Sequence, residues 1–238
     1  MTPDASIVRT PPWRDFAWRH PEWWALAVSA VCWIFILLSN QPSGGEHAHH
    51  AHGAASVSLR SAAAHWAAMV AAMMFPFLAG HLRSVAARSL WGRRHWAMAL
   101  FLISYTALWM PFGLAIAPAQ QAWPGVPWIP ACLLVAAIWQ LTPWKRAALV
   151  ACHRTAPLAP IGLRADLDCL RYGGSVFVNC WLSCWALMLV CAVTHRWIAA
   201  MPVLTLLSWV EKAGPVDRRR QVSAALFVAA IAAAAYTR

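Results

Sequence analysis

Two groups of sulfur and imidazole side chains have the spacing of a single helix face and could ligate a soft metal ion. Each group has members four residues apart: His65, Met69 and Met73 in one, and Cys180, Cys184 and Met188 in the other. Positions i, i+4 and i+8 lie on one face of a helix, so each group would form a column of potential ligands. Thiolate and thioether sulfurs select Cu(I), whereas Mg²⁺ and Ca²⁺ prefer carboxylates, which neither column contains. The pattern therefore favours copper(I).

Both columns also have a purely structural interpretation. Methionine at helical spacing commonly fills gaps in a packed core, and free cysteine is among the most frequently buried residue types. A metal site would require the two helices to pack together in an antiparallel arrangement. Met73 would then lie near the depth of Cys180, and Met69 near that of Cys184. The testable expectation is contact between one of these methionines and one of these cysteines.

A histidine-rich tract precedes the first column. It places four imidazoles within six residues, next to Glu46: His47, His49, His50 and His52. Short tracts of this kind bind metals, and imidazole suits copper, zinc and nickel alike. The tract lies on the predicted outer side of the membrane, where an entry site for metal would be. The alternative is a solvated loop of low complexity.

A further pair of groups could form an exit site for metal between the fourth and fifth predicted spans. Cys152 and His153 form one group, and Asp166, Asp168 and Cys169 form the other. Their spacing matches no recognised zinc motif, so ordinary exposed residues are the competing interpretation.

The composition is that of a membrane protein. The chain has 238 residues, of which 61% are hydrophobic and 11% charged, and its mean hydropathy is +0.53. Soluble domains average about 25% charged residues. The net charge of +11 comes from basic residues between apolar segments, as the positive-inside rule expects. We therefore expect a lipid bilayer as the surrounding partner and no nucleic acid.

The predicted fold class is all-α, a polytopic transmembrane helix bundle of about seven spans in one domain, residues 22–236. A cytoplasmic tail, residues 1–21, precedes it. The spans are expected at about 22–39, 61–80, 95–117, 128–142, 173–194, 197–210 and 221–236, with a basic loop over 143–172. With the N-terminus in the cytoplasm, every Lys and Arg except Arg60, Arg196 and Arg238 falls inside. This orientation predicts a multi-pass protein of the inner (plasma) membrane. The segment 197–210 is short and contains Pro202, so a re-entrant segment is its alternative.

Enzyme motifs are missing from the sequence. It has no Ser-His-Asp, Walker or dinucleotide-binding pattern, and no paired carboxylates placed for hydrolysis. We expect no enzymatic activity.

Three sequence blocks resemble a known family. They are residues 66–76 (WAAMVAAMMFP), residues 140–147 (QLTPWKRA) and residues 180–188 (CWLSCWALM), the last followed by Glu211-Lys212. Over about residues 61–212 the chain resembles the prokaryotic family of predicted metal-binding integral membrane proteins, catalogued as a domain of unknown function. The resemblance implies a membrane fold and metal binding through the cysteine block.

The chain departs from the family pattern at two places. Ser183 stands where the resemblance implies a middle cysteine, and Ala148 replaces the first of two cysteines after the Lys-Arg pair, whereas Cys152 matches the second. These differences leave Cys180 and Cys184 as the core of the implied site.

Three functions remain open from the sequence. In the first, the protein binds, relays or inserts copper: the external histidines collect it, and His65, Met69 and Met73 pass it to the cysteine column. Its partner would be a metal-donor protein or a membrane protein complex. In the second, the chain is a non-transporting assembly or scaffold subunit that uses its alanine-rich faces. In the third, Cys180 and Cys184, about 6 Å apart on one helix, carry out thiol redox chemistry, although an apolar surrounding disfavours reactive thiols.

Overall fold

The computed structural model describes residue 16 and residues 18–39, 59–193, 200–213 and 217–236. Within these ranges the chain is mainly α-helical and has no β-strand. The predicted all-α fold class is confirmed for this part of the chain. The histidine tract, His47 to His52, lies outside the described residues.

The helices of the described ranges are numbered here in chain order. Their bounds are α1 Trp23–Ser39, α2 Leu59–Met74, α3 Ala79–Arg88, α4 Arg94–Ala122, α5 Trp128–Gln140, α6 Pro143–Ala151, α7 Gly162–Val193, α8 Ala200–Ala213 and α9 Arg218–Tyr236. Short 3₁₀ turns, Phe75–Leu78 and Trp91–Arg93, join α2 to α3 and lead into α4.

Three helical segments are long and apolar enough to cross a membrane. They are Leu59–Arg88, Trp91–Ala122 and Gly162–Val193, and they contain most of the spans predicted at 61–80, 95–117 and 173–194. Shorter apolar helices occupy Trp23–Ser39, Trp128–Gln140 and Gln221–Ile231. The number of spans and the side on which the N-terminus lies stay predictions.

The segment 143–172, expected to be a loop, instead contains α6 and the first turns of α7. The local cause of α6 is readable in the sequence. The Thr142 side chain accepts a hydrogen bond from the backbone N–H of Lys145, and Pro143 occupies the first helical turn. A threonine cap followed by proline is a strong helix start, because both satisfy or remove unpaired N–H groups.

The centre of the molecule is built on α4, which packs against both α2 and α7. The indole N–H of Trp66 on α2 donates to the carbonyl of Trp109 on α4 at 2.8 Å. Where α7 meets α4, a Cβ at Gly173 would lie 2.5 Å from the carbonyl oxygen of Phe101. This glycine therefore sets how closely α7 approaches α4. Small residues commonly permit such approaches between membrane helices.

The remaining helices surround this centre. α1 packs on α2, where the Ser29 hydroxyl donates to the carbonyl of Ala72 at 2.8 Å. α5 and α6 pack on α7, and α9 packs on α5. The second and fifth predicted spans, α2 and α7, thus share a neighbour and approach each other near the end of α2.

Candidate functional site

A cluster of sulfur atoms lies where the end of α2 meets the middle of α7. Cys180 and Cys184 are both buried, and they lie one helical turn apart on α7. The Met74 thioether sulfur lies 3.9 Å from the Cys180 sulfur. Met74 is the last residue of α2, directly before the turn that contains Pro76. Two thiols and one thioether therefore converge in the protein interior.

Cys152 adds a third thiol at the edge of this cluster. It follows the last residue of α6, and its sulfur lies 3.7 Å from the Ser183 hydroxyl, which is itself 3.4 Å from the Cys184 sulfur. Burial raises the pKa of the Cys152 thiol, and the positive charge of Lys212 opposes that rise. Ser183 also donates to the carbonyl of Cys180 at 2.9 Å, so this hydroxyl bridges the three cysteines.

His81 holds the backbone at Cys152 in place. Its Nε2 lies 2.7 Å from the carbonyl oxygen of Cys152, and its Nδ1 lies 2.7 Å from the Tyr172 hydroxyl. A carbonyl only accepts hydrogen bonds, so Nε2 carries the proton. Because both ring nitrogens are engaged, this histidine acts in positioning the Cys152 loop, and its nitrogens are not free for a metal.

Two polar groups are directed at the Cys180 sulfur. The Tyr105 hydroxyl donates to it at 2.9 Å, and the Lys212 ammonium donates to it at 3.1 Å. Burial lowers the pKa of Lys212, but the sulfurs of Cys180, Cys184 and Cys152 outweigh this effect and raise it above its ordinary value. A charged donor stabilises the thiolate form of its acceptor, which is the form that binds metal.

A buried ion pair fixes the helix that carries Lys212. The Lys145 ammonium lies 2.7 Å from a carboxylate oxygen of Glu211, with side chains 1% and 5% exposed. Lys145 also donates to the side-chain oxygen of Gln140. This network joins the end of α5 and the start of α6 to α8. It pairs Glu211 with Lys145 and leaves the adjacent Lys212 directed at the thiols.

The three blocks that carry the family resemblance therefore meet at one place. Met74 comes from the first block, Gln140 and Lys145 from the second, and Cys180 from the third, with Glu211 and Lys212 completing the set. Residues far apart in the sequence form one polar and sulfur-rich centre.

A cavity of about 340 Å³ borders this centre. Cys180, Cys152, His81 and Lys212 contribute its polar lining, and Phe77 and Trp209 are among its apolar walls. The exposed residues His153 and Thr155, in the loop after α6, also line it.

The structure brings together part of the predicted ligand set. Cys180 meets a methionine, but this methionine is Met74, one residue after the predicted Met73. Met69, Met73 and Met188 are buried in the core, and His65 is half-buried. Whether these four ligate metal stays a prediction.

Of the proposed exit site, Cys152 belongs to the thiol cluster, whereas the two aspartates have structural partners. Asp166 forms an ion pair with Arg93, and Asp168 accepts a hydrogen bond from the backbone N–H of Ala159 at 3.1 Å. Sequence reasoning missed Met74, Tyr105 and Lys212. The Glu211-Lys212 dipeptide of the resemblance was the one signal that indicated Lys212.

Within the described ranges, no group of three or more His, Cys, Asp or Glu side chains is arranged to hold a metal ion. The cluster instead offers a pair of neighbouring thiols and a thioether. This donor set suits Cu(I), which favours soft sulfur ligands, better than Zn²⁺ in a structural site, which is held almost always by four ligands.

A comparison with protein families adds evidence on the metal. Residues 63–237 match a family model described as copper chaperone (PpoB2). The chain belongs to this copper chaperone family. The matched range includes the whole sulfur cluster and Lys212, and it begins after His47–His52. No curated protein and no solved structure matches the chain. The family supports the copper handling expected from the sequence.

Proposed function

We propose that this chain is a Cu(I) chaperone of the cell inner membrane that holds its cargo between Cys180 and Cys184. The observation that carries the proposal is the set of groups around Cys180: a thiol one helical turn away, a thioether at 3.9 Å and an ammonium group at 3.1 Å. Two thiolates on one Cu(I) form an anionic centre. The charge of Lys212 would neutralise it in the apolar interior, where an unpaired charge is costly.

The other groups of the cluster have defined roles in this proposal. Met74, at the end of α2, would be a weaker soft ligand than the two thiolates. It would stabilise copper without holding it irreversibly. Cys152 lies towards the cavity and would take copper from, or pass it to, the thiol pair. Tyr105 donates to Cys180 and would orient its sulfur, as hydrogen bonds around metal ligands commonly do.

The wider proposal concerns the membrane. We propose seven spans with a cytoplasmic N-terminus, which places the basic residues around the cavity on the cytoplasmic side. The histidine tract, His47 to His52, would collect copper outside, and a metal-donor protein or a membrane complex would exchange copper with the chaperone. This function requires no enzymatic step.

The test is the copper content of the purified full-length protein in detergent. After loading with Cu(I) and washing with a competing Cu(I) chelator, wild type should retain stoichiometric copper and Cys180→Ser/Cys184→Ser should retain almost none. Cys132→Ser/Cys169→Ser is the matched control, since both thiols are buried but neither is among the described groups that hydrogen-bond to the cluster sulfurs. It should load like wild type. Equal copper in wild type and in the Cys180/Cys184 variant would contradict the proposal.

A further inference from the structure

The cavity beside the sulfur cluster is larger than a single copper ion requires. Its volume is about 340 Å³, which lies within the range of small-molecule sites, about 300–1,000 Å³. A bare copper ion needs no such space. Cys180 and Cys152 both line the cavity, and its walls include Phe77, Val176 and Trp209. It therefore has room for organic ligands attached to the metal.

The charge of the cavity is unfavourable for a free cation. Among the described residues that line it, Lys212 is the basic residue in contact with the thiols, and none is Asp or Glu. Glu211, the nearest acidic neighbour in sequence, is engaged by Lys145 at 2.7 Å. A positive charge in a site with partly apolar walls attracts anions and repels cations.

We propose that this cavity admits copper as an anionic complex of Cu(I) with low-molecular-weight thiolates, and that Lys212 selects for the negative charge of the complex. This inference rests on the proposed function, because Cys180 and Cys184 must receive the copper. It adds the chemical class of the donor, which the family does not supply.

The transfer is a balanced exchange of thiol ligands at constant oxidation state. The incoming complex has one Cu(I) bound to two small thiolates. The Cys180 sulfur forms a bond to copper, one small thiolate leaves, and it takes the proton that the Cys180 thiol gives up. Cys184 then replaces the second thiolate in the same way. Copper remains Cu(I) throughout, two small thiols are released, and the resulting protein-bound anion stays beside Lys212.

The experiment compares two donors of opposite charge at the same free Cu(I) concentration. One is the Cu(I) complex of N-acetylcysteine, which is anionic, and the other is the Cu(I) complex of cysteamine, whose amines are positively charged. The initial rate of copper loading is measured on the full chain in detergent. Wild type should load about tenfold faster from the anionic donor, a modest value for electrostatic attraction.

Variants separate the charge of Lys212 from general effects. Lys212→Gln should lose the preference for the anionic donor, and Lys212→Arg should keep it. Arg164→Gln, which removes an exposed positive charge at the start of α7, should behave like wild type. If Lys212→Gln does not fold, the wild-type donor comparison and Lys212→Arg still decide the question.

The possible results test the inference and the proposed function separately. Equal loading rates from both donors in wild type would overturn the inference, and so would a preference that persists in Lys212→Gln. Either result would leave the proposed function intact as long as wild type retains chelator-resistant copper and Cys180→Ser/Cys184→Ser does not. Loss of that difference would overturn the proposed function itself.

Discussion

At the scale of single residues, interactions from three different helices meet at Cys180. Its sulfur is approached by the Tyr105 hydroxyl, the Lys212 ammonium and the Met74 thioether. The sequence indicated the cysteine and a methionine partner, because soft ligands at helical spacing are visible in one chain. It could not indicate Tyr105, since a tyrosine within an apolar span has no pattern that distinguishes a thiol neighbour from ordinary packing.

Ser183 provides a prediction at this scale. Its hydroxyl lies 3.4 Å from the Cys184 sulfur and 3.7 Å from the Cys152 sulfur, at the position where the sequence resemblance implies a cysteine. Ser183→Cys would place another sulfur among the existing thiols. We expect the Kd for Cu(I) to fall about tenfold, equivalent to ~1.4 kcal/mol, as measured by chelator competition.

The control for this substitution is Ser29→Cys. Ser29 is also buried and also donates to a backbone carbonyl, but it belongs to the contact between α1 and α2. It should leave the Kd unchanged. An unchanged or higher Kd in Ser183→Cys would contradict this prediction, because an added sulfur at this position would then not bind the copper.

At the scale of helices, the close contact of α4 with α7 determines where Cys180 lies. Gly173 is two turns before Cys180 on α7, and a Cβ there would lie 2.5 Å from the Phe101 carbonyl oxygen. The adjacent Gly174 differs, because its nearest contact would be the Leu108 side chain at an ordinary 3.5 Å. Two neighbouring glycines thus face very different surroundings.

This difference makes a paired prediction. Gly173→Ala should push α7 away from α4 and destabilise the protein by about 1–3 kcal/mol, as overpacking commonly does. Gly174→Ala should have little effect on stability. Thermal unfolding in detergent would show a lower Tm for Gly173→Ala alone, accompanied by weaker copper retention. Equal Tm values for the two variants would contradict the assigned role of the close contact.

Some helices were predictable from the sequence, and others were not. The long apolar segments of α2, α4 and α7 were predictable, because spans have a clear length and composition. α6 was missed because a short, basic segment resembles a loop, although Thr142-Pro143 indicated a helix start. Helix pairing could not be predicted, since it depends on small residues and side-chain fit that one sequence does not reveal.

At the scale of the whole molecule, sequence blocks that are far apart in the chain lie next to one another in the fold. Gln140, Lys145 and Glu211 form a buried network that holds α8 against the end of α5 and the start of α6. Removing one member of a buried charged pair is strongly destabilising. The network therefore supports the site through Lys212, and the blocks of the family resemblance describe one centre.

The whole chain offers copper two chemically different environments, and this contrast provides the most direct test of the central claim. One is the sulfur cluster around Cys180 and Cys184; the other is the imidazole tract, His47 to His52. X-ray absorption at the copper K-edge, measured on the full-length protein loaded with Cu(I), distinguishes sulfur from nitrogen ligands. We predict a first shell of sulfur that disappears in Cys180→Ser/Cys184→Ser. A first shell of nitrogen, or a sulfur shell unchanged in that variant, would contradict the proposal that these cysteines hold the cargo.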